Sequence, residues 1–256
     1  MHFQRLFLLA WLFVILPGTC VRAQIVNIED KRKGFDSVGW YGQIDLGGSL
    51  TRNINQVITL NGAVRVDRKG RRQSLLGLAD YRLVQVSGKN ALNAGFGHLR
   101  YAYYLNDRWR WETFGQMQYN EQLRLQLRTL VGTGPRLKLL SFDNNRVYVG
   151  TLYMYEYDEV ADGEIIYRSH RLSSYLSFNL YAWEHLSISN TTYYQPILPD
   201  FRQPRISSVT SVSLKLTDRL SFNTRYSITH DALLNRGLPD VPETTYEWVN
   251  GLRYSF

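Results

Sequence analysis

Apolar and polar residues alternate with a period of two along most of this chain. Between Ile58 and Asp67, apolar or small residues fill the even positions and mostly polar residues fill the odd ones. Side chains of a β-strand point alternately to opposite faces, so this pattern predicts a strand with one apolar and one polar face. The same alternation recurs in later stretches that include Trp40–Thr51, Trp109–Tyr119, Leu123–Arg128, Val147–Tyr157 and Arg171–Asn179.

Short runs of turn-forming residues separate these stretches. Arg68-Lys69-Gly70-Arg71, Ser87-Gly88-Lys89-Asn90 and Ala161-Asp162-Gly163 are clear examples, and such runs are typical of hairpin connections. The pattern therefore predicts an all-β, up-and-down antiparallel meander of about twelve strands. The strands are expected to begin near residues 38, 54, 73, 91, 109, 122, 147, 164, 186, 205, 220 and 245.

The first residues have the pattern of an export signal. Arg5 precedes the apolar run from Leu6 to Leu16, and Val21-Arg22-Ala23 supplies small or aliphatic residues at a cleavage site. The run is shorter than the roughly 20 residues that span a bilayer, so removal is favoured over a membrane anchor. We expect a signal peptide over residues 1–23, a flexible lead-in over 24–37 and a β-barrel over 38–256.

Composition excludes several classes of protein. Hydrophobic residues make up 44% of the chain and charged residues 20%, so the chain is not expected to be disordered. The single cysteine, Cys20, lies in the expected leader, which leaves no disulfide framework and no thiolate metal site. His98, His170 and His230 are isolated and form no ligand pattern, so we expect neither a metal nor a cofactor.

Alternation alone does not say which face of the barrel is apolar. A membrane barrel has its apolar face outside, whereas a soluble barrel has it inside. The export signal permits the membrane case, and the apolar face carries tryptophan and tyrosine near strand ends, as in Trp40, Trp109, Trp111, Tyr194 and Trp248. Because such residues form the aromatic girdles of membrane barrels, we expect the apolar face to contact lipid.

Charged residues on the polar face must then point into the lumen, because a charge facing lipid at the bilayer midplane costs about 2 to 4 kcal/mol. Two functions compete for such an interior. The charges could form an ion-paired filling, which is the preferred reading, or they could line a weakly anion-preferring pore. The predicted lumen charge network consists of Arg65, Asp67, Asp80, Arg82, Arg100, Arg110, Glu112, Arg124, Arg128, Glu156, Arg171, Arg225 and Arg253.

The last strand resembles the C-terminal β-signal of bacterial outer-membrane proteins. That signal combines a glycine, alternating aromatic residues and a terminal phenylalanine, and the matching positions here are Gly251, Tyr254 and Phe256. The resemblance implies a location in the outer membrane of a Gram-negative bacterium. It also implies recognition of this strand by the barrel-assembly machinery.

Internal sequences resemble the salt-induced outer-membrane protein family known as domain of unknown function 481. They are Tyr119-Asn120-Glu121-Gln122-Leu123-Arg124, Arg128-Thr129-Leu130-Val131-Gly132-Thr133-Gly134-Pro135-Arg136, Tyr167-Arg168-Ser169-His170-Arg171-Leu172-Ser173-Ser174-Tyr175 and Thr192-Tyr193-Tyr194-Gln195-Pro196. The resemblance covers the chain from about residue 38 to its end. It implies an outer-membrane barrel and no established activity.

Other functions find weaker support in the sequence. His185 and Ser187 have a His-x-Ser spacing that some outer-membrane lipid esterases use, but no orienting partner is evident, so we expect no enzyme. Arg202, Arg205 and Arg236 lie in predicted outward loops and could pair with lipopolysaccharide phosphates. Nucleic acid is not an expected partner of an exported barrel, despite the sequence pI of about 9.5.

Overall fold

The computed structural model describes residue 28 and the ranges 37–143, 145–160, 163–231, 233 and 241–254. The described residues form twelve β-strands and one short 3₁₀ turn. The strands are β1 (Gly39–Arg52), β2 (Gln56–Lys69), β3 (Gln73–Val86), β4 (Lys89–Tyr104), β5 (Trp109–Asn120), β6 (Leu125–Phe142), β7 (Asn145–Val160), β8 (Ile165–Trp183), β9 (Leu186–Ile197), β10 (Arg202–Lys215), β11 (Leu220–Asp231) and β12 (Thr244–Tyr254). The 3₁₀ turn, Glu121–Leu123, lies between β5 and β6.

All twelve strands belong to one antiparallel sheet in which each strand pairs with its neighbours in the sequence. The predicted up-and-down meander is therefore confirmed, and each strand begins within three residues of its predicted position. The shortest strand has 11 residues and the longest 19. In the part of the chain that the structure describes, no helix is both long and apolar enough to cross a membrane.

The connections lie at two ends of the sheet. At the terminal end, where β1 begins and β12 ends, the connections are short and span residues 70–72, 105–108, 143–144, 184–185 and 216–219. At the opposite end, here called the loop end, the connection 232–243 is the longest. The other loop-end connections have two to four residues, as short as those at the terminal end.

The register divides the side chains into an inner and an outer face. Polar residues such as Arg65, Arg100 and Glu112 lie on the inner face. Their partners on the neighbouring strands also point inward. Large apolar residues lie on the outer face and remain exposed, including Leu46 at 81% and Val131 at 54%. The apolar residues thus lie on the outer face and the polar residues on the inner face, as the sequence alternation predicted.

The sheet curls until strands far apart in the order touch through their inner side chains. Arg128 Nη2 on β6 lies 3.3 Å from Asp231 Oδ2 on β11, and Tyr175 on β8 donates from Oη to Glu112 Oε2 on β5 at 3.4 Å. Among the described residues, the pairing runs from β1 to β12 without a ladder that joins these two strands. Most of the buried inner-face side chains lie on β4 to β11.

Candidate functional site

Six charged residues meet on the inner face near the loop end, and we call them the central ion cluster. Three are arginines and three are carboxylates, so the formal charges balance. The members come from five strands: Arg128 on β6, Glu156 and Asp158 on β7, Arg171 on β8, Arg205 on β10 and Asp231 on β11. All six side chains are at most 5% exposed.

Each carboxylate of the central ion cluster contacts more than one arginine. Asp158 accepts two hydrogen bonds from Arg128, at 2.8 Å from Nε and 2.7 Å from Nη2. Glu156 contacts Arg128, Arg171 and Arg205. Asp231 Oδ2 lies 2.8 Å from Arg205 Nε. Because a bidentate guanidinium–carboxylate pair is directional as well as strong, these contacts fix the strands relative to one another.

Backbone and amide groups hold Arg171 in this cluster. Arg171 Nη1 donates to the carbonyl oxygens of Gln195 at 2.8 Å and Gln203 at 3.2 Å, which ties β8 to β9 and β10. The Gln195 amide in turn donates to Ser173 Oγ at 2.8 Å. Arg171 thus combines an ion pair to Glu156 with hydrogen bonds from Nη1, while its Nη2 makes no hydrogen bond to the described residues.

A second charged group lies on the inner face nearer the terminal end. Arg100 Nη1 lies 2.9 Å from Glu112 Oε2, and Arg136 Nη1 lies 3.8 Å from the other oxygen of the same carboxylate. Arg136 also donates to Tyr175 Oη at 3.2 Å. The Tyr175 ring lies directly against Gly150, where an added Cβ would come within 2.3 Å of it. Gly150 thus leaves the space that this buried ring needs.

Apolar side chains fill the space between and above the charged groups. Phe114, Leu130, Leu152, Met154, Tyr175 and Tyr193 form one buried cluster between them. A second apolar cluster, Leu123, Leu125, Val160 and Val241, lies at the loop end. A cavity beside these layers has a volume of about 30 Å³, which is room for about two water molecules.

The structure brings several of the residues predicted for the lumen into pairs. Arg65 Nε lies 2.5 Å from Asp67 Oδ2, and Arg82 Nε lies 3.0 Å from Asp80 Oδ1. Arg110 lies over the Tyr104 ring, with its guanidinium carbon 4.5 Å from the ring centroid. Arg225 and Arg253 occupy inner-face positions on β11 and β12 by register, but their side chains are exposed.

The structure corrects the placement of Arg124. The sequence alternation indicated a lumen-facing strand position, but Arg124 ends the 3₁₀ turn with φ of 49° and ψ of 29°, and its side chain is exposed. Asn120 starts this turn by accepting a hydrogen bond from the Leu123 N–H at 3.2 Å. Strand β6 therefore begins at Leu125, and a register shift between Leu125 and Leu127 restores Arg128 to the inner face.

The hypothesis that outward-loop arginines bind lipopolysaccharide also needs correction. Arg205 lies inside β10 and is 1% exposed within the central ion cluster. Arg202 is 80% exposed and lies 3.4 Å from Asp200, while Arg236 lies outside the described residues. Asp231 was absent from the predicted lumen charge network, although it ends β11. The signal that could have found it is the odd-numbered polar series of β11, which ends with Thr229 and Asp231.

Other predicted residues occupy the following positions. Gly251 and Tyr254 lie in β12, whereas Phe256 lies outside the described residues. His185 is exposed in the turn between β8 and β9, and Ser187 lies in β9 opposite Tyr181 and Ser213. The expected leader, 1–23, lies outside the described residues, as does the expected lead-in apart from Ile28 and Ser37.

The fold and the site together define a twelve-stranded antiparallel meander with an apolar outer face and an ion-paired interior. Residues 44–256 match the family described as "Protein of unknown function, DUF481". Because this match covers most of the chain, the protein belongs to that family.

Comparison with solved structures gives similarities of low identity. The structure titled "NanC porin structure in rhombohedral crystal form" has 11% identity and a TM-score of 0.46, with 84% of this chain and 100% of that chain covered. The KdgM porin has 10% identity and a TM-score of 0.42, with 85% and 98% covered. A bacterial polysaccharide outer membrane secretin has 9% identity and a TM-score of 0.41, with 85% and 90% covered. No curated protein matches the sequence.

Proposed function

We propose that this protein is an outer-membrane β-barrel with a filled, ion-paired lumen, and that its role is structural, within the cell envelope. The observation that carries the proposal is the central ion cluster, which spans the interior from β6 to β11. In the proposed barrel, β1 pairs with β12. Closure of this kind leaves no strand edge in hydrocarbon, where unpaired backbone groups are costly.

The outer face supports a membrane location. Its exposed side chains are largely apolar along the middle of the strands. Aromatic residues mark both ends: Trp40, Trp109, Trp111 and Tyr254 lie toward the terminal end, and Tyr194 and Tyr246 lie toward the loop end. Two aromatic belts that flank an apolar band are typical of proteins that cross the outer membrane. A tilted strand needs about 9 to 11 residues to cross a bilayer. The shortest strand, β12, has 11 residues, so every strand is long enough to cross.

The layered interior supports a lumen that does not conduct. Moving along the inner face from the loop end, the order is the apolar cluster around Leu125, the central ion cluster, the apolar cluster around Phe114 and the charged group around Glu112. The paired charges have no net formal charge in the central layer, and apolar side chains replace water on both sides of it. Such packing opposes the passage of a hydrated solute next to strands β4 to β11.

A passive pore for small solutes or anions is the second candidate. One observation favours it: charged inner-face residues near the two edges of the sheet, including Asp45, Arg225 and Arg253, have exposed side chains. Charged residues along a wall are typical of aqueous channels. The two functions therefore differ in whether the space beside β1, β2, β11 and β12 conducts ions.

Single-channel recording in planar bilayers separates the two candidates. We expect the wild-type protein to be silent. The charge-neutral variant Glu156→Ala/Arg205→Ala removes two long side chains from the central ion cluster and is expected to produce stepwise conductance. The matched control is Asp80→Ala/Arg82→Ala, an inner-face pair outside the cluster that is also charge-neutral, and it is expected to stay silent. Stepwise conductance of the wild-type protein would overturn the filled lumen in favour of the pore.

The same proposal has consequences for partners and chemistry. The outer face would contact lipid and lipopolysaccharide, and the barrel-assembly machinery would recognise the β12 strand through Gly251 and Tyr254. The proposed role includes no catalytic step. A fatty-acid release assay with the Ser187→Ala variant tests this part, because release that depends on Ser187 would identify an esterase instead.

A further inference from the structure

Ile28 makes an unexpected contact with the inner face of the sheet. It precedes the first residue of β1 by eleven positions, yet its side chain is only 3% exposed. It packs against Leu76 and Leu78 of β3, with Phe96 of β4 beside them. All three partners face inward by register, so Ile28 lies on the lumen side of the wall.

Leu76, Leu78 and Phe96 form an apolar patch on the inner face of β3 and β4, and we call it the inner apolar patch. Along β3 the next inner-face residues are Asp80 and Arg82, which pair with each other. An apolar patch in contact with lumen water would be unfavourable in proportion to its area. A patch of this kind is typical of a surface that binds an apolar partner.

Chain length permits the residues ahead of β1 to reach this patch. Through the β2 ladder, Leu76 is level with Tyr41 of β1, and Leu78 is level with Gln43. The patch thus lies only a few residues into the sheet from Gly39. Eleven residues can span up to about 36 Å when extended, which is far more than this distance requires.

Ile28 also borders a cavity in the interior of the sheet. Arg100, Arg128 and Arg205 line the same cavity. Ile28 therefore lies on the inner side of the sheet rather than beyond its edge.

We propose that the inner apolar patch is the docking site for the chain's own N-terminal residues 24–36, with Ile28 as the anchor. This inference rests on the proposed lumen and names one of its occupants. The filling of the interior then has two sources, the strands themselves and the residues that precede them. The lead-in expected from the sequence to be flexible is held at Ile28.

Chemical cross-linking in the full-length protein, reconstituted into phospholipid vesicles, tests the docking. In a Cys20→Ser background, we expect a short bis-maleimide to join the two thiols of Ile28→Cys/Leu78→Cys. The matched control is Ile28→Cys/Leu99→Cys, because Leu99 lies across the ladder from Gly77 but is 55% exposed on the outer face. Equal cross-linking of both pairs, or none of the Leu78 pair, would overturn the proposal.

A labelling experiment gives a second readout that does not depend on a cross-link. The single thiol of Leu78→Cys should react slowly with a charged, membrane-impermeant maleimide. Addition of Ile28→Asp should raise the rate about tenfold or more, because loss of the apolar contact shifts the docking equilibrium. Addition of Ile28→Leu should leave the rate nearly unchanged. An unchanged rate with Ile28→Asp contradicts the docking.

These outcomes are separable from those of the proposed function. Suppose that both thiol experiments fail, while the wild-type protein is silent and the Glu156→Ala/Arg205→Ala variant conducts. The docking is then excluded and the filled lumen is supported. If the Leu78 pair cross-links but the wild-type protein conducts, the docking is supported and the filled lumen is excluded.

Discussion

Neutralising Glu156 gives the sharpest test of the ion-paired interior. Glu156 contacts three arginines and is 1% exposed. The substitution Glu156→Gln nearly preserves side-chain volume but leaves three buried arginines with two carboxylates. Breaking a buried ion pair by removal of one partner costs about 3 to 5 kcal/mol, because the remaining charge stays buried without compensation. We therefore expect the free energy of unfolding to fall by about that amount.

Asp80→Asn is the matched control for this substitution. Asp80 also lies on the inner face and its carboxylate lies 3.0 Å from Arg82, but the two side chains are 24% and 32% exposed. Water screens a pair of this kind, so its loss is expected to cost less than about 1 kcal/mol. Because the two changes are chemically alike, their difference of at least about 2 kcal/mol isolates the effect of burial and of the shared carboxylate.

Reversible urea unfolding in phospholipid vesicles, followed by tryptophan fluorescence, measures both losses. The double variant Glu156→Gln/Arg171→Met provides a further check, since it returns the cluster to two charges of each sign. It is expected to recover part of the stability lost in Glu156→Gln, as coupled neighbours are not additive. If Glu156→Gln is no more destabilising than Asp80→Asn, the reasoning about the buried cluster is wrong.

Two further substitutions test the outer face and the packing beside the second charged group. Val131→Arg places a charge on the outer face near the middle of β6, where Val131 is 54% exposed. In vesicles, the free energy of unfolding should fall by about 2 to 4 kcal/mol. A fall no larger than that of Val131→Ala would argue against lipid contact. Gly150→Ala brings a methyl group within 2.3 Å of the Tyr175 ring and should cost about 1 to 3 kcal/mol through overpacking in the same assay, whereas an unchanged midpoint would show that the ring moves freely.

The sequence predicted the strands because a two-residue period is a local property. Each strand is amphipathic by itself, so its face assignment follows from neighbours along the chain and needs no knowledge of the fold. This is why the inward positions of Arg65, Arg100 and Arg171 could be predicted from alternation. The prediction for Arg124 was wrong for a local reason too, because the left-handed conformation at the end of the 3₁₀ turn interrupts the two-residue period.

The sequence could not predict which residues come together in the central ion cluster. Arg128 and Asp231 lie 103 positions apart and five strands apart in the sheet, so only the curl of the whole sheet brings them together. Arg205 was mistaken for a loop residue because the predicted strand began three positions late. Ile28 falls in a stretch without periodicity, so no pattern indicated its burial against Leu78.

The uneven distribution of interior contacts divides the meander into a rigid middle and two compliant margins. No member of the central ion cluster lies on β1, β2, β3 or β12, and most side chains of β1 are exposed on both faces. Local opening requires least free energy where the fewest contacts must break. In the proposed barrel, the middle strands would therefore act as a template that keeps its curvature, and the first and last strands would adjust to pair with each other.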